Sequence, residues 1–176
     1  MTAPDSSRAV RSRRLLIAFS FLVAGLTLAG AFSFVRYARR HKPNPLVAAV
    51  APFDVFVPGL EPWRVRLAEG LTAQLDSLPP LSAVSQEVVR ERWRGQSRPE
   101  IAALDLARRT SAGLAIYGRL DRVTSSNDSI WVRMIAIDSG TGEVLISIDR
   151  RWATAQLGDL ARTLAEQVRQ NYRPSD

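Results

Sequence analysis

An uncharged apolar run near the N-terminus, residues 15–35, constrains this sequence more than any other feature. The run reads LLIAFSFLVAGLTLAGAFSFV, which is 21 residues without a charged side chain. As an α-helix it would extend about 30 Å and match the hydrocarbon core of a bilayer. It therefore predicts a transmembrane helix, and the rest of the 176 residues suffices for one further domain with a modest core.

A cleaved signal peptide is the competing interpretation of this run. A basic stretch precedes it, and Ala29, Gly30 and Ala31 have the small-residue spacing of a cleavage site. The apolar run continues to Val35 and ends at Arg36, which favours an uncleaved anchor. Small residues recur at every fourth position of the predicted helix and would let a second membrane helix approach closely. They are Gly25, Ala29 and Ser33.

The excess positive charge of the chain lies beside the apolar run. The net charge is +7, yet residues 43–176 hold 16 arginines and 16 acidic side chains, so that part is formally neutral. This distribution argues against nucleic-acid binding and favours anionic lipid head groups as partners of the basic flanks. The flanking residues are Arg11, Arg13, Arg14, Arg36, Arg39, Arg40 and Lys42.

The orientation of the predicted helix follows from the lengths of its two sides. Basic residues are equally numerous on both sides, so their count alone gives no direction. A short basic arm, residues 1–14, is costly to translocate, whereas a long domain crosses largely regardless of its charge. We therefore expect a single-pass protein of a bacterial inner membrane, with a cytoplasmic N-terminus, a linker at residues 36–45 and a periplasmic domain.

The predicted domain, residues 46–171, alternates strand-like and helix-like segments and precedes a short tail at residues 172–176. Helical periodicity and charged stretches predict helices over residues 61–78, from residue 86 through Trp93, and over residues 99–111 and 155–171. Apolar runs and turn signals predict strands at residues 46–53, 81–85, 114–123, 130–137 and 144–151. The order β α β α α β β β α indicates an α/β (α+β) fold with a sheet covered by helices.

Local signals refine this scheme. Ser97 and Glu100 have the spacing of a capping box before the third helix. Gly70 lies inside the first helix, where it would permit close packing against the sheet. The segments SSND and DSGTGE separate the last three strands and predict antiparallel hairpins. DSGTGE also offers oxygen ligands as a calcium loop would, but it lacks the spacing of an EF-hand, so a hairpin turn is favoured.

Four segments of the predicted domain follow one another in a distinctive order: VAAVAPFD, LAEGLTAQLDSLPPLSAVS, LARRTSAGLAIYGRLDR and MIAIDSGTGEVLISIDRRW. In this order they resemble the N-terminal domain of TolB and the TolB-like modules of bacterial envelope proteins, and the resemblance covers about residues 46–170. It implies a three-layer fold with a mixed five-stranded sheet, and it carries no catalytic residues. The family also implies a cleaved signal and a β-propeller, neither of which this sequence matches, so a full TolB role is not expected.

The residue inventory offers little for catalysis or cofactor binding. The chain has no cysteine, and its single histidine, His41, lies among the basic flanking residues. A phosphate-binding loop after the first strand would have only Gly59 and would lack the backbone donors that its prolines remove. A general acid and base would need two carboxylates close together, and the sequence pattern does not bring together any two of the acidic residues near this loop. They are Asp54, Glu61, Glu69 and Asp76. We therefore predict no enzyme activity, no metal, no cofactor and no small-molecule substrate.

Aromatic residues beside arginines are typical of protein contact sites. On this ground we predict that partners contact the domain through Trp93 and Trp152. The rigid, largely apolar loop DVFVPGLEPW adds Val57, Leu60 and Trp63 to the predicted contact residues. The resulting hypothesis is a non-enzymatic single-span subunit that braces a larger membrane complex. A photosynthetic reaction centre with its antenna is one such setting, by analogy only. The alternative is an envelope sensor or peptide-binding module of the TolB-like type.

Overall fold

The computed structural model describes residues 43–77, 79–95, 98–124 and 128–173. The predicted transmembrane run, its basic flanks and its small-residue stripe lie outside these ranges, so the anchor stays a prediction. Within the described ranges, every helix is too short or too polar to cross a membrane.

Six strands and four α-helices are formed by the described residues, and their bounds lie close to the predicted ones. The strands are β1 Asn44–Val50, β2 Asp54–Val55, β3 Ser82–Ala83, β4 Ala112–Arg122, β5 Ser129–Asp138 and β6 Val144–Ala153. The helices are α1 Trp63–Asp76, α2 Gln86–Arg92, α3 Pro99–Thr110 and α4 Leu157–Asn171. A single 3-10 turn, Thr154–Gln156, precedes α4.

The strands form one mixed sheet in the order β3-β1-β4-β5-β6, and β2 pairs with the far end of β4. β1 runs parallel to both β3 and β4, and β2 is also parallel to β4. The two hairpins β4–β5 and β5–β6 are antiparallel. The predicted mixed α/β sheet with flanking helices is therefore confirmed.

The predicted strand at residues 46–53 is cut short by a proline. Pro52 has no backbone N–H and cannot continue the ladder of hydrogen bonds. β1 therefore ends at Val50, and the Phe53 N–H donates to the carbonyl of Arg64 at 3.2 Å instead. The chain returns to the sheet at β2, a strand that the sequence pattern does not predict.

Helices α1 and α4 cover one face of the sheet. Leu67, Leu71 and Leu75 of α1 are fully or almost fully buried, as are Leu160 and Leu164 of α4. They pack with the even-numbered residues of β4 and β5 into the larger core. Removing each such leucine side chain from water contributes about 2 kcal/mol.

Gly70 permits close packing of helix on helix, which corrects the expectation that it faces the sheet. A Cβ atom added at this position would lie 3.0 Å from the Cβ of Ala161 on α4. The absence of a side chain thus lets the two helices of this layer approach each other.

Helices α2 and α3 cover the other face, where the core is built mainly from small residues. Ala49 and Ala51 meet Ala103, Ala107 and other side chains of a second, smaller cluster. Short side chains allow these helices to lie close to β1 and to the first half of β4. With helices on both faces, the domain has the three layers that were predicted.

The start of α3 differs from the predicted capping box. Arg98 occupies the N-cap position without a side-chain hydrogen bond, and Ser97 lies outside the described residues. Glu100 instead lies near the hydroxyl of Tyr117 on β4, where it helps to raise the pKa of that tyrosine. The signal was therefore correct for the position of the helix and wrong for the role of Glu100.

Tyr172, assigned to the tail from the sequence, belongs to the domain core. It is 8% exposed and its hydroxyl donates to the carbonyl of Pro45 at 2.6 Å. This bond joins the end of α4 to the start of β1 across the domain.

Gly118 in the middle of β4 is required by the packing of Phe53. A Cβ atom at this position would overlap a ring carbon of Phe53 and would lie 2.6 Å from the carbonyl oxygen of Arg133. Both approaches are well inside van der Waals contact, and Phe53 is fully buried. A side chain here would displace the ring that fills the junction of β1 and β2.

We expect the substitution Gly118→Ala to lower the free energy of unfolding by about 1–3 kcal/mol, the usual cost of overpacking a core. Gly158→Ala is the matched control, because a Cβ there has nothing within 4 Å and Gly158 lies in α4. The control should leave stability unchanged or raise it slightly. Urea denaturation followed by circular dichroism measures both, and equal effects of the two substitutions would contradict this account.

Candidate functional site

The second half of the sheet leaves one face open to solvent. Helices α2 and α3 lie over β1 and the start of β4, whereas Arg119, Trp131, Asp149 and Arg151 are all exposed on the strands beyond them. The alternating pattern of β5 explains this face. Its even-numbered residues from Ile130 to Ala136 are buried in the larger core, so the odd-numbered residues point the other way.

The strand register arranges the side chains of this open face in two rows. Asp54 of β2 pairs with Arg119, which pairs with Arg133 of β5, which pairs with Asp149 of β6. The second row begins at Phe56, whose N–H donates to the carbonyl of Leu120 at 2.8 Å. It continues through Asp121, Trp131 and Arg151. We call these eight residues the open face.

Most of the charges on the open face are paired with one another. Arg119 Nε lies 2.7 Å from Asp121 Oδ2, and an Arg133 guanidinium nitrogen lies 2.8 Å from Asp149 Oδ2. The guanidinium carbon of Arg151 lies 5.9 Å from the centre of the Trp131 ring, a cation–π distance. Three arginines and three aspartates make the surface formally neutral, which does not favour a strongly charged ligand.

Two aromatic side chains give the open face its apolar area. Phe56 is 62% exposed and Trp131 is 40% exposed. They lie two strand spacings apart, or about 10 Å, with Asp121 between them. A depression of about 400 Å³ beside Trp131 is lined by charged residues of both rows. Exposed aromatics among arginines are the usual composition of an energetic centre in a protein interface.

Tyr117 marks the boundary between the α3 layer and the open face. Burial raises the pKa of its hydroxyl, and the hydrogen bond and negative charge of Glu100 raise it further, whereas Arg119 and Arg133 lower it. The net direction is upward, so this tyrosine stays protonated at any physiological pH.

The residues predicted for partner contact have packing roles in the structure. Val57, Leu60, Trp63 and Trp152 are half-buried against the larger core, and Trp93 is half-buried against the smaller one. The indole N–H of Trp152 donates to the carbonyl of Gln156 at 3.0 Å. Their binding role stays a prediction.

The more exposed aromatics, Phe56 and Trp131, were missed. The alternation of Ile130, Val132 and Met134 in the sequence was the signal that could have placed Trp131 on the opposite face.

The acidic residues near the first loop do not form a catalytic pair. Glu61 accepts from the N–H of Gly59 at 3.1 Å, and Asp76 accepts from the N–H of Ala83 at 3.4 Å. Asp54 lies on the open face, and Glu69 is exposed on α1. In the described ranges no group of three or more histidine and acidic side chains is arranged to hold a metal ion.

The segment DSGTGE forms the hairpin turn predicted from the sequence. The carboxylate of Asp138 accepts hydrogen bonds from the N–H groups of Gly140 and Thr141, each at 2.8 Å. Gly142 adopts a φ of 76°, a conformation that glycine reaches without strain. The Asp138 oxygens therefore stabilise the turn between β5 and β6.

Comparison with known proteins shows similarity at the level of structure. Neither a protein-family model nor a curated protein matches the sequence. TolB from Acinetobacter baumannii superposes with a TM-score of 0.51 and 11% identity, covering 74% of this chain and 29% of that one. Lipoprotein GNA1162 from Neisseria meningitidis gives a TM-score of 0.51 and 16% identity, covering 73% of this chain and 100% of that one. The LpoB C-terminal domain from Salmonella enterica gives a TM-score of 0.49 and 14% identity, covering 64% of this chain and 85% of that one.

These similarities concern the fold. The matched region is less than a third of the TolB chain, and the identities are too low to transfer a site. The described domain thus has a TolB-like fold, as the sequence motifs implied. Its functional surface has to be argued from its own residues.

The raised pKa of Tyr117 predicts how stability depends on pH. An unfolded tyrosine loses its proton near pH 10, whereas folded Tyr117 keeps it to higher pH. Its contribution is therefore complete below about pH 10 and is lost as the pH rises towards the folded pKa. Above about pH 10 the free energy of unfolding should fall less steeply in Tyr117→Phe than in the wild type. Urea denaturation at several pH values between about 8 and 11 measures this difference. Parallel curves over this range would contradict the assignment.

Proposed function

We propose that this chain is a non-enzymatic envelope protein whose domain binds a partner protein through the open face. The observation that supports this most directly is the pair of exposed aromatics, Phe56 and Trp131, on a sheet where four of the six open-face charges form ion pairs. Sheet residues lose little freedom on binding, because their backbone is fixed by strand pairing. Such a surface suits another protein of moderate polarity.

The charge pattern supports a protein partner over a nucleic acid. A phosphate backbone needs several unpaired cations in a row. On the open face Arg119 and Arg133 are each bonded to a carboxylate, and Arg151 lies over Trp131. A partner with apolar side chains opposite Phe56 and Trp131, and with hydrogen-bonding groups around them, matches this arrangement.

The proposed setting is a membrane complex of the bacterial envelope. The apolar run at residues 15–35 and its basic flanks support a single-span anchor in the inner membrane with the domain in the periplasm. The same fold occurs in a bacterial lipoprotein, GNA1162, which supports a membrane-associated setting by analogy. In this role the anchor and the open face hold two components of one complex together.

The proposal is tested by purifying the full-length chain at native abundance from membranes in mild detergent and measuring the size of its complex. The variant Phe56→Ser/Trp131→Ser should lose the complex, because contact aromatics at an interface centre contribute about 2 kcal/mol or more, roughly thirtyfold in affinity. Val65→Ser is the control, since Val65 is 42% exposed on α1, away from the open face. The proposal would be contradicted by a wild-type chain that migrates alone, or by a control variant that loses the complex to the same extent.

A further inference from the structure

The outer side of β6 is a long strand edge on which the described part of the chain places no partner strand. β6 has 10 residues and stands last in the sheet order. A groove of about 480 Å³ runs beside it, lined by residues 145–150 of β6 and by Gln167, Gln170 and Asn171 of α4. An open strand edge of this length is a template for pairing with another strand.

The alternation of hydrogen-bonded pairs in the β5–β6 hairpin identifies which main-chain groups of β6 point outward. The Thr154 N–H donates to the Asp128 carbonyl at 2.9 Å, and hydrogen-bonded pairs alternate along an antiparallel ladder. Within the register of the hairpin, the even-numbered residues of β6 therefore bond to β5. The N–H and C=O groups of Ser147, Asp149 and Arg151 point to the free edge.

The side chains along this edge are complementary to a second copy of themselves. In an antiparallel pair with Arg150 on the two-fold axis, Asp149 of each copy lies opposite Arg151 of the other. Both residues have outward main-chain groups, so they would form hydrogen-bonded pairs with opposite charges. On the α4 side, Ile148 lies opposite Trp152. A shift of the axis by one residue puts Asp149 or Arg151 opposite its own copy, which is unfavourable.

We infer that this chain forms a two-fold dimer by antiparallel pairing of β6 with β6 of a second copy, in the register that centres on Arg150. The one unfavourable contact is Arg150 opposite Arg150. With its oxygen turned towards Arg150, the Gln167 amide accepts from both terminal guanidinium nitrogens, at 3.2 and 3.3 Å, and so holds each guanidinium towards the α4 of its own copy. The inference concerns the edge of the sheet and does not depend on the partner proposed for the open face.

Cysteine cross-linking of the full-length chain tests the register, because the natural sequence has no cysteine. Arg150→Cys places two thiols across the axis at a cross-strand separation of roughly 4.5 Å between Cα atoms, so a mild oxidant should give a disulfide-linked dimer. Val144→Cys is the control, since Val144 is 52% exposed on the same strand but lies six residues from the axis. No dimer from Arg150→Cys, or equal dimer from both variants, overturns the inference.

Charge exchange tests the pairing without an oxidant. Asp149→Arg alone and Arg151→Asp alone each put like charges opposite one another and should weaken self-association at least tenfold in analytical ultracentrifugation of the full-length chain. An equimolar mixture of the two variants restores both opposite-charge pairs and should form a mixed dimer. A folding defect in either variant would not be repaired by mixing. Wild-type monomer at all concentrations, wild-type-like dimers of either variant, or no mixed dimer overturns the inference.

Discussion

Strand β4 is the element on which the rest of the structure depends. On one side it pairs with β1 and then with β2, and on the other it pairs with β5 along most of its length. The junction between β1 and β2 is filled by Phe53, whose ring reaches the backbone of β4 only because position 118 is glycine. The sheet can therefore continue past Pro52, and β2 brings Asp54 and Phe56 into the rows of the open face.

The open face follows from a difference in length between two neighbouring elements. β4 has 11 residues and extends about 36 Å, whereas α3 has 12 residues and extends about 18 Å. A helix of that length covers only part of the strand beneath it. Tyr117, held by Glu100 at the start of α3, is the last β4 side chain under the helix layer, and Arg119 is the first one in solvent.

Sequence patterns predicted the layers of this domain because buried positions recur at a regular spacing along each helix and strand. The even-numbered residues of β5 and the leucines of α1 show that period directly, and the corresponding elements were placed correctly. Features that depend on tertiary partners were not predicted. Gly70 was assigned to the sheet because the sequence does not show that Ala161 faces it, and Glu100 was assigned to a cap because Tyr117 is distant in sequence.

The candidate site was only partly accessible from the sequence for the same reason. Trp152 was selected because arginines precede it, but its register partner is the buried Ile130, so its ring turns towards the core. Trp131 has no basic neighbour before it in the chain, yet Arg151 lies above it through strand pairing. Composition identified the residue types of a contact surface, and the register decided which of them reach solvent.

The open face and the free edge of β6 are physically continuous. The odd-numbered residues of β6 direct their side chains to the open face and, by the phase of the hairpin, their main-chain groups to the edge. A strand added at this edge would therefore extend both rows of the open face without moving the existing strands. Two copies joined there would present two pairs of aromatics on one continuous sheet. A partner that spans both pairs would bind the dimer more tightly than the single chain, and by linkage it would stabilise the dimer by the same factor.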